Sequence, residues 1–221
     1  MKLYNLLALA ILASVFACNN PTKKTVEAGN AQAEITDSTT KTNFYQVDTL
    51  KSSLAWEGAE GLLSIVKTHN GLLSLSSGNL QIQNDTLVGG SFTIPLKTLT
   101  VLDIPKQESK NAKLVKHLLN EDFFDAQKFP EANFVITKVI TMPKDSSLIT
   151  GNLTLKGIAK SISFKAKITL TDSTITASVP KFYINRKNWG IHYRTDKSFG
   201  DELIRPEIGI LINLLAHKNK P

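Results

Sequence analysis

The chain has 221 residues, 42% of them hydrophobic, with 26 Lys and Arg against 19 Asp and Glu and a single cysteine. That length supports one sizeable core, and a lone cysteine excludes an internal disulfide, so burial has to hold the fold together. The net charge of +7 is scattered, with no basic stripe interleaved with aromatic residues, which argues against a nucleic-acid partner. A mild attraction to anionic lipid headgroups and plain solubility both remain open.

The first element is an almost wholly apolar run, Leu3 to Ala17, behind Lys2 and ending at Cys18. It is shorter than the roughly 20 residues that span a bilayer and reads as a signal peptide over residues 1–17. Val15-Phe16-Ala17-Cys18 has the lipobox pattern, a small residue directly before the cysteine. Cys18 is then the acylated (palmitate-bearing) N-terminus, and the alternative is an ordinary secretory signal with a chance cysteine. No later segment is apolar enough to span a bilayer, so attachment is expected through lipid alone. The expected location is the cell envelope, lipid-anchored in the outer membrane and facing the periplasm.

Residues 18–43 read as the lipidated cysteine and a flexible linker. They hold no aromatic residue and only Val26 and Ile35 as large aliphatics up to Asn43, too little burial to offset chain entropy. As free chain this stretch reaches on the order of 25–30 Å.

Residues 44–217 are expected to form one domain of short strands. Apolar residues alternate with polar ones at Tyr45/Val47, Leu54/Trp56, Leu80/Ile82, Phe92/Ile94/Leu96 and Phe134/Ile136, and again at Leu153/Leu155. The period continues through Ile162/Phe164/Ala166/Ile168, Ile175/Ala177/Val179 and Ile208/Ile210/Ile212/Leu214. Period two gives one apolar and one wet face. Asn84-Asp85 predicts a turn, and Gly89-Gly90 a bend or bulge between strands. Roughly eight such strands closing on themselves make an antiparallel β-barrel able to hold one small ligand. The exception is Lys106–Asn120, where Ala112, Val115, Leu118 and Leu119 recur near helical spacing. A short amphipathic helix is expected there, then a turn carrying Phe123 and Phe124, in a position to cap the barrel.

The sequence offers little catalytic chemistry. No phosphate loop, nucleophile elbow or zinc spacing is present, and none of His69, His117, His192 and His217 are four apart. No catalytic residue, metal site or cofactor is expected. The candidate ligand contacts are Trp56, His69, Phe92, Ile94, His117, Phe123, Phe134, Leu153, Phe164, Phe182, Arg186 and Trp189. Arg186 would hold a polar headgroup at a cavity mouth. The plain alternatives are that Arg186 makes a structural pair, Trp189 is core and each histidine is a satisfied structural group.

Several of these motifs resemble the YceI-like family of polyisoprenoid-binding proteins. Tyr45-Gln46-Val47-Asp48 with Ser53-x-x-Trp56-x-Gly58 is similar to its opening strands, and His69-Asn70-Gly71 to its His-x-Gly step. Gly89-Gly90-Ser91-Phe92-Thr93-Ile94 followed by Leu99 resembles the next strand pair. The most specific piece is His117-Leu118-x-x-x-Asp122-Phe123-Phe124-Asp125-x-x-x-Phe129-Pro130-x-x-x-Phe134. Gly151 to Ile158 and Arg186 to Ile191 complete it in the family's order. The resemblance implies a lipocalin-like β-barrel around a long isoprenoid chain and a secreted or periplasmic location; it does not imply a reaction. One departure is Ile94-Pro95 where the family often has Ile-Asp, and Pro95 favours a strand edge or bulge.

Three readings follow. The first is an envelope carrier or store for a polyisoprenoid or isoprenoid quinone, with that lipid and the membrane as partners. The second is an enzyme on such a lipid, with His69, His117 or His192 as acid or base. The third is a structural or stress-related protein with a filled core and a protein partner. A tunnel of Leu, Ile, Phe and Val with polar groups at one end favours the first. A lumen-facing histidine backed by a carboxylate favours the second. Oligomeric state stays open, a homodimer among the options.

Overall fold

The computed structural model describes residues 23–34, 41–61 and 66–219; the expected signal peptide and Cys18 lie outside the described residues. Strands β2 (Asn43–Val47) and β3 (Ser53–Glu60) form one interrupted wall, both antiparallel to β11 (Glu207–Lys218). β4 (Lys67–Leu73) and β5 (Ser77–Gln83) form the next wall, followed by β6 (Thr86–Pro95), β7 (Glu131–Met142), β8 (Ser146–Leu155), β9 (Ile158–Leu170) and β10 (Thr174–Asn185). β10 returns to β11 along almost its whole length. The result is a closed antiparallel barrel of eight walls, as the alternation predicts.

Tight hairpins at one end force sharp reversals. Asn84-Asp85 has φ of 47° and 55°, and Lys144-Asp145 has 61° and 53°, the left-handed values that match strand twist in a hairpin. The opposite end carries the long connections: β3 to β4, β6 to β7, and residues 186–206 between β10 and β11. The one α-helix among the described residues, α1 (Ser109–Leu119), lies in the second of these. It is shorter at both ends than predicted. Buried Asn111 fastens it to the preceding loop, its amide donating to the carbonyls of Val101 (3.1 Å) and Ile104 (2.7 Å).

Two expectations change. Gly89-Gly90 does not separate strands: β6 begins at Thr86 and runs through both. The register shifts opposite Gln81 and Ile82, so the irregularity is a bulge inside one strand. At Gly90 a side chain would meet the Asn79 carbonyl at 2.6 Å. Pro95 is the last residue of β6, paired with Glu131, where the strand gives way to a 3₁₀ turn. Its missing donor therefore falls where the ladder ends.

The second change concerns the expected linker. β9 and β10 pair only through Lys167–Leu170 and Ile175–Ser178; toward the loop end they separate. Residues 25–30 fill that gap. Thr25 bridges Tyr183 in parallel, the Val26 amide donates to the Tyr183 carbonyl at 2.7 Å, and β1 (Gly29–Asn30) pairs antiparallel with Ser161 and Lys160. Val26 and Ala28 pack against the core. Gln32 then exchanges hydrogen bonds with the Asn152 side chain, at 2.9 and 2.7 Å. The composition suits free chain, but two unpaired strand edges offer backbone partners that composition does not reveal.

Candidate ligand-binding tunnel

The inward faces of the strands enclose two connected lobes. The inner lobe, toward the tight hairpins, is a cavity of about 100 Å³ whose lining is wholly aliphatic and aromatic. The outer lobe, beneath α1 and the long connections, measures about 290 Å³. Leu54, Ile94, Leu153 and Ile210 line both and form the collar between them. Alternate residues of β11 run the tunnel's length, Leu214 and Ile212 in the inner lobe and Ile208 in the outer.

An aromatic ladder crosses one side of the inner lobe. Ring centroids are 6.3 Å apart for Phe92–Phe134, 5.5 Å for Phe134–Phe164 and 4.8 Å for the stacked pair Phe164–Phe182. An apolar chamber of this kind holds no water in place. Left empty it costs about 2 kcal/mol at roughly 24 cal/mol per Å³, which an apolar ligand recovers.

The polar groups gather at the other end, the mouth. His69 Nδ1 lies 2.7 Å from Asp103 Oδ2, and Asp103 Oδ1 accepts the Asn70 amide at 2.8 Å. Burial alone would raise the Asp103 carboxyl, but the Asn70 amide and the His69 ring outweigh it and hold it below the usual range. His117 Nε2 lies 3.2 Å from Asp122 Oδ2, and its ring meets Phe123 and Tyr193 edge-on at 5.0 and 4.9 Å. Glu60 and Arg194 also line this end.

Gly71 shows why the His-x-Gly step is built as it is. Trp56, a wall of the outer lobe, donates its indole N–H to the Thr100 carbonyl at 3.1 Å. A side chain at Gly71 would collide with that carbonyl and with Trp56 Nε1. Only a bare Cα lets the wall close behind the indole.

Of the predicted contacts, Phe92, Phe134, Phe164 and Phe182 line the inner lobe, and Ile94 and Leu153 the collar. Trp56, His69, His117, Phe123 and Arg186 line the outer lobe. Trp189 does not: it is fully buried, donating to the Leu153 carbonyl at 2.9 Å, so it is core. Arg186 is not poised as a free headgroup contact either. It is 2% exposed, and its guanidinium donates to four backbone carbonyls: Ile191 (3.0 Å), Tyr193 (2.7 Å), Ile204 (2.8 Å) and Arg205 (3.4 Å). It clamps the connection that roofs the mouth. Burial pushes it down to about 10, with the charge of Glu207 opposing.

Sequence reasoning missed Asp103, Tyr193, Glu60 and the collar residues Leu54 and Ile210. Leu54 and Ile210 were visible as alternating apolar positions. Asp103 carried no signal, since nothing in its neighbourhood points to a histidine 34 residues away.

The YceI-like domain model matches residues 45–216. A UPF0312 protein of Pseudomonas putida is 43% identical over 58 residues, 26% of this chain and 30% of the relative. One of Vibrio parahaemolyticus is 38% identical over 71 residues, 32% of this chain and 38% of the relative. These matches span well under half the length of the curated relatives. Among solved structures, Burkholderia cenocepacia BcnA superposes with a TM-score of 0.59 at 18% identity, covering 76% of this chain and 98% of that one. A polyisoprenoid binding domain from Saccharophagus degradans, implicated in plant cell wall breakdown, gives 0.55 at 11% identity, covering 79% and 98%. At these identities the likeness is one of fold. The family match covers most of the chain, with the stretch of residues 25–30 outside it, and this chain belongs to the YceI-like domain family.

Proposed function

We propose that this protein binds an isoprenoid lipid, a polyprenyl chain or an isoprenoid quinone, and carries or stores it at the cell envelope. The observation that carries the reading is the two-lobed apolar tunnel with its polar side chains gathered at one end. A long apolar chain with one polar terminus matches that distribution. Such a chain is costly to expose, at roughly 25 cal/mol per Å², so a closed barrel is a sensible vehicle through water. Membership in the YceI-like family and the fold likeness to a polyisoprenoid binding domain support the ligand class. The lipobox at Cys18 supports anchoring by lipid, and we place the domain on the periplasmic side of the outer membrane.

The test is native mass spectrometry, with organic extraction, of the mature chain carrying Cys18→Ser. A near-stoichiometric polyprenyl or quinone species supports the reading and names the ligand. An apo mass with no uptake of added isoprenoid overturns it and favours a protein partner. For the anchor, Cys18→Ala is expected to move the protein from membrane to soluble fraction, and unchanged fractionation rejects lipidation.

A second reading has its own observation. His69 and His117 both line the outer lobe and both are backed by an aspartate, the arrangement of a general base. Against it, no serine, threonine or cysteine lines that lobe among the described residues. Mass analysis of the lipid after long incubation separates the two: a carrier returns it unchanged, an enzyme returns a product.

A further inference from the structure

We infer that the barrel's open end is its membrane-docking face, pressed against the bilayer surface so that lipid passes between bilayer and lumen without crossing water. The inference rests on the proposed anchoring through Cys18 and adds an orientation to it.

The first argument is the length of the leash. With residues 25–30 inserted between β9 and β10, the free tether does not extend to residue 43. Lys23 is already fixed: its Nζ lies 2.6 Å from Glu57 Oε1 and 4.7 Å above the Tyr183 ring. Cys18 is five residues before Lys23, so its Cα lies within about 18 Å of it, at no more than 3.6 Å per residue. Glu57 and Tyr183 sit in the half of the barrel that holds the mouth, next to the mouth-lining residues Gly58 and Ile184. So short a leash keeps the barrel close to the bilayer, but the chain enters the seam running parallel to β10, toward the mouth, so the leash by itself chooses neither end.

The second argument chooses the face. The two ends differ in where apolar side chains are exposed: near the hairpin end Phe44 and Ile140 are exposed on strands, not on the turns. At the hairpin end the turns are Asn84-Asp85, Pro143-Lys144-Asp145 and Thr171-Asp172-Ser173, which put an aspartate in each. At the open end the connections expose large apolar side chains: Val66 at 42%, Leu102 at 59% and Phe199 at 45%. Ile158, in the β8–β9 turn region at the same end, is 38% exposed. Lys106, Lys110, Lys113 and Lys116, in and before α1, are exposed in the same β6–β7 connection as Leu102. Exposed apolar side chains on these connections suit the acyl-chain side of a bilayer interface, and the lysines of α1 suit its anionic headgroups. Charge does not separate the ends, since Asp103, Glu108, Glu121, Asp196 and Glu202 are exposed in the open-end connections as well; the exposed apolar side chains do.

The third argument is function. The mouth holds the polar end of the tunnel, so a lipid held by its tail in the inner lobe presents its head there. Docking the mouth on the bilayer places that head at headgroup depth.

The test uses the one native thiol. The mature chain is coupled through Cys18 to a maleimide-bearing lipid in phosphatidylethanolamine–phosphatidylglycerol vesicles, and hydrogen exchange is compared with the uncoupled chain. Chemical coupling makes the orientation test independent of whether cells acylate Cys18, which the mass of the membrane-extracted native protein decides separately. The expected result is several-fold slower exchange at the amides around Leu102 and Phe199, with none at Asp85, Asp145 and Asp172. In the Leu102→Asp/Phe199→Asp double variant that slowing disappears. Slower exchange at the hairpin turns instead, or at neither end, overturns the proposal.

Discussion

His69 and Asp103, 34 residues apart in sequence, meet at 2.7 Å and tie β4 to the segment that extends β6 across the mouth. The same carboxylate holds the Asn70 amide, so one aspartate fixes both a side chain and a backbone group. Its folded value is depressed relative to about 3.9 in the unfolded chain. A depressed carboxylate contributes stability that is present above the unfolded value and lost as pH falls through the folded one. The mouth is therefore expected to stay fastened at neutral pH and loosen below about pH 4. Asp103→Asn should show the loosened mouth already at pH 7, with faster exchange at the Asn70 amide and a loss of about 1.5 kcal/mol. Equal exchange in both proteins at pH 7 would show that the tie is idle.

Arg186 is held by carbonyls, which predicts a separation between stability and binding. Arg186→Lys keeps the charge but cannot reach four acceptors spread over residues 191–205 with one ammonium group. Leaving buried acceptors unmet is expected to cost about 3 kcal/mol or more, measured by denaturant unfolding. Ligand affinity of the folded fraction should fall less than in Phe164→Asp, which puts a carboxylate into the stacked aromatic wall of the inner lobe. The opposite order, at matched folded fractions, would restore Arg186 as the headgroup contact.

These residues also show how far the sequence could be read. The lumen of β11 was legible because Ile208, Ile210, Ile212 and Leu214 follow a strict period of two, and a barrel wall has only two faces. Phe164 was legible for the same reason, whereas Phe182 is out of phase with Ile175, Ala177 and Val179 and faces the lumen only through the register shift between Val179 and Phe182. Arg186 and Trp189 stood out as a cluster, but their roles depend on where the chain passes after Gly190. That path sets which carbonyls surround the guanidinium and is invisible in a local pattern. His69 showed itself as a candidate, while its partner Asp103 is defined only by the closure of β4 on residues 99–102. The seam-filling stretch was misread because its requirement lies elsewhere, in the unpaired edges of β9 and β10.

Filling the inner lobe should trade binding for stability. Ala166 lies on its wall and is 3% exposed. Ala166→Leu adds three carbons toward a cavity of about 100 Å³. The apo protein is expected to gain up to about 2 kcal/mol from the void removed, while isoprenoid uptake falls sharply. A loss of stability with unchanged uptake would mean that the leucine turns away or strains the wall, and that the inner lobe is not where the tail ends.

The last prediction concerns the seam. If residues 25–30 are a stave of the barrel, damaging that stave should affect the barrel wall. Val26 packs against the core while its neighbour Glu27 is exposed, the alternation of an inserted strand. Val26→Asp is expected to cost about 2 kcal/mol from lost burial and the buried charge. It should also speed exchange at the β9 amides near Ser161, which face β1. Ligand release should accelerate as well, because β9 and β10 have no direct pairing there to keep the wall shut. Glu27→Ala, one residue along, should change none of these. If both variants behave like the unmodified chain, the stretch is free linker after all, and the short leash drawn from it fails with it.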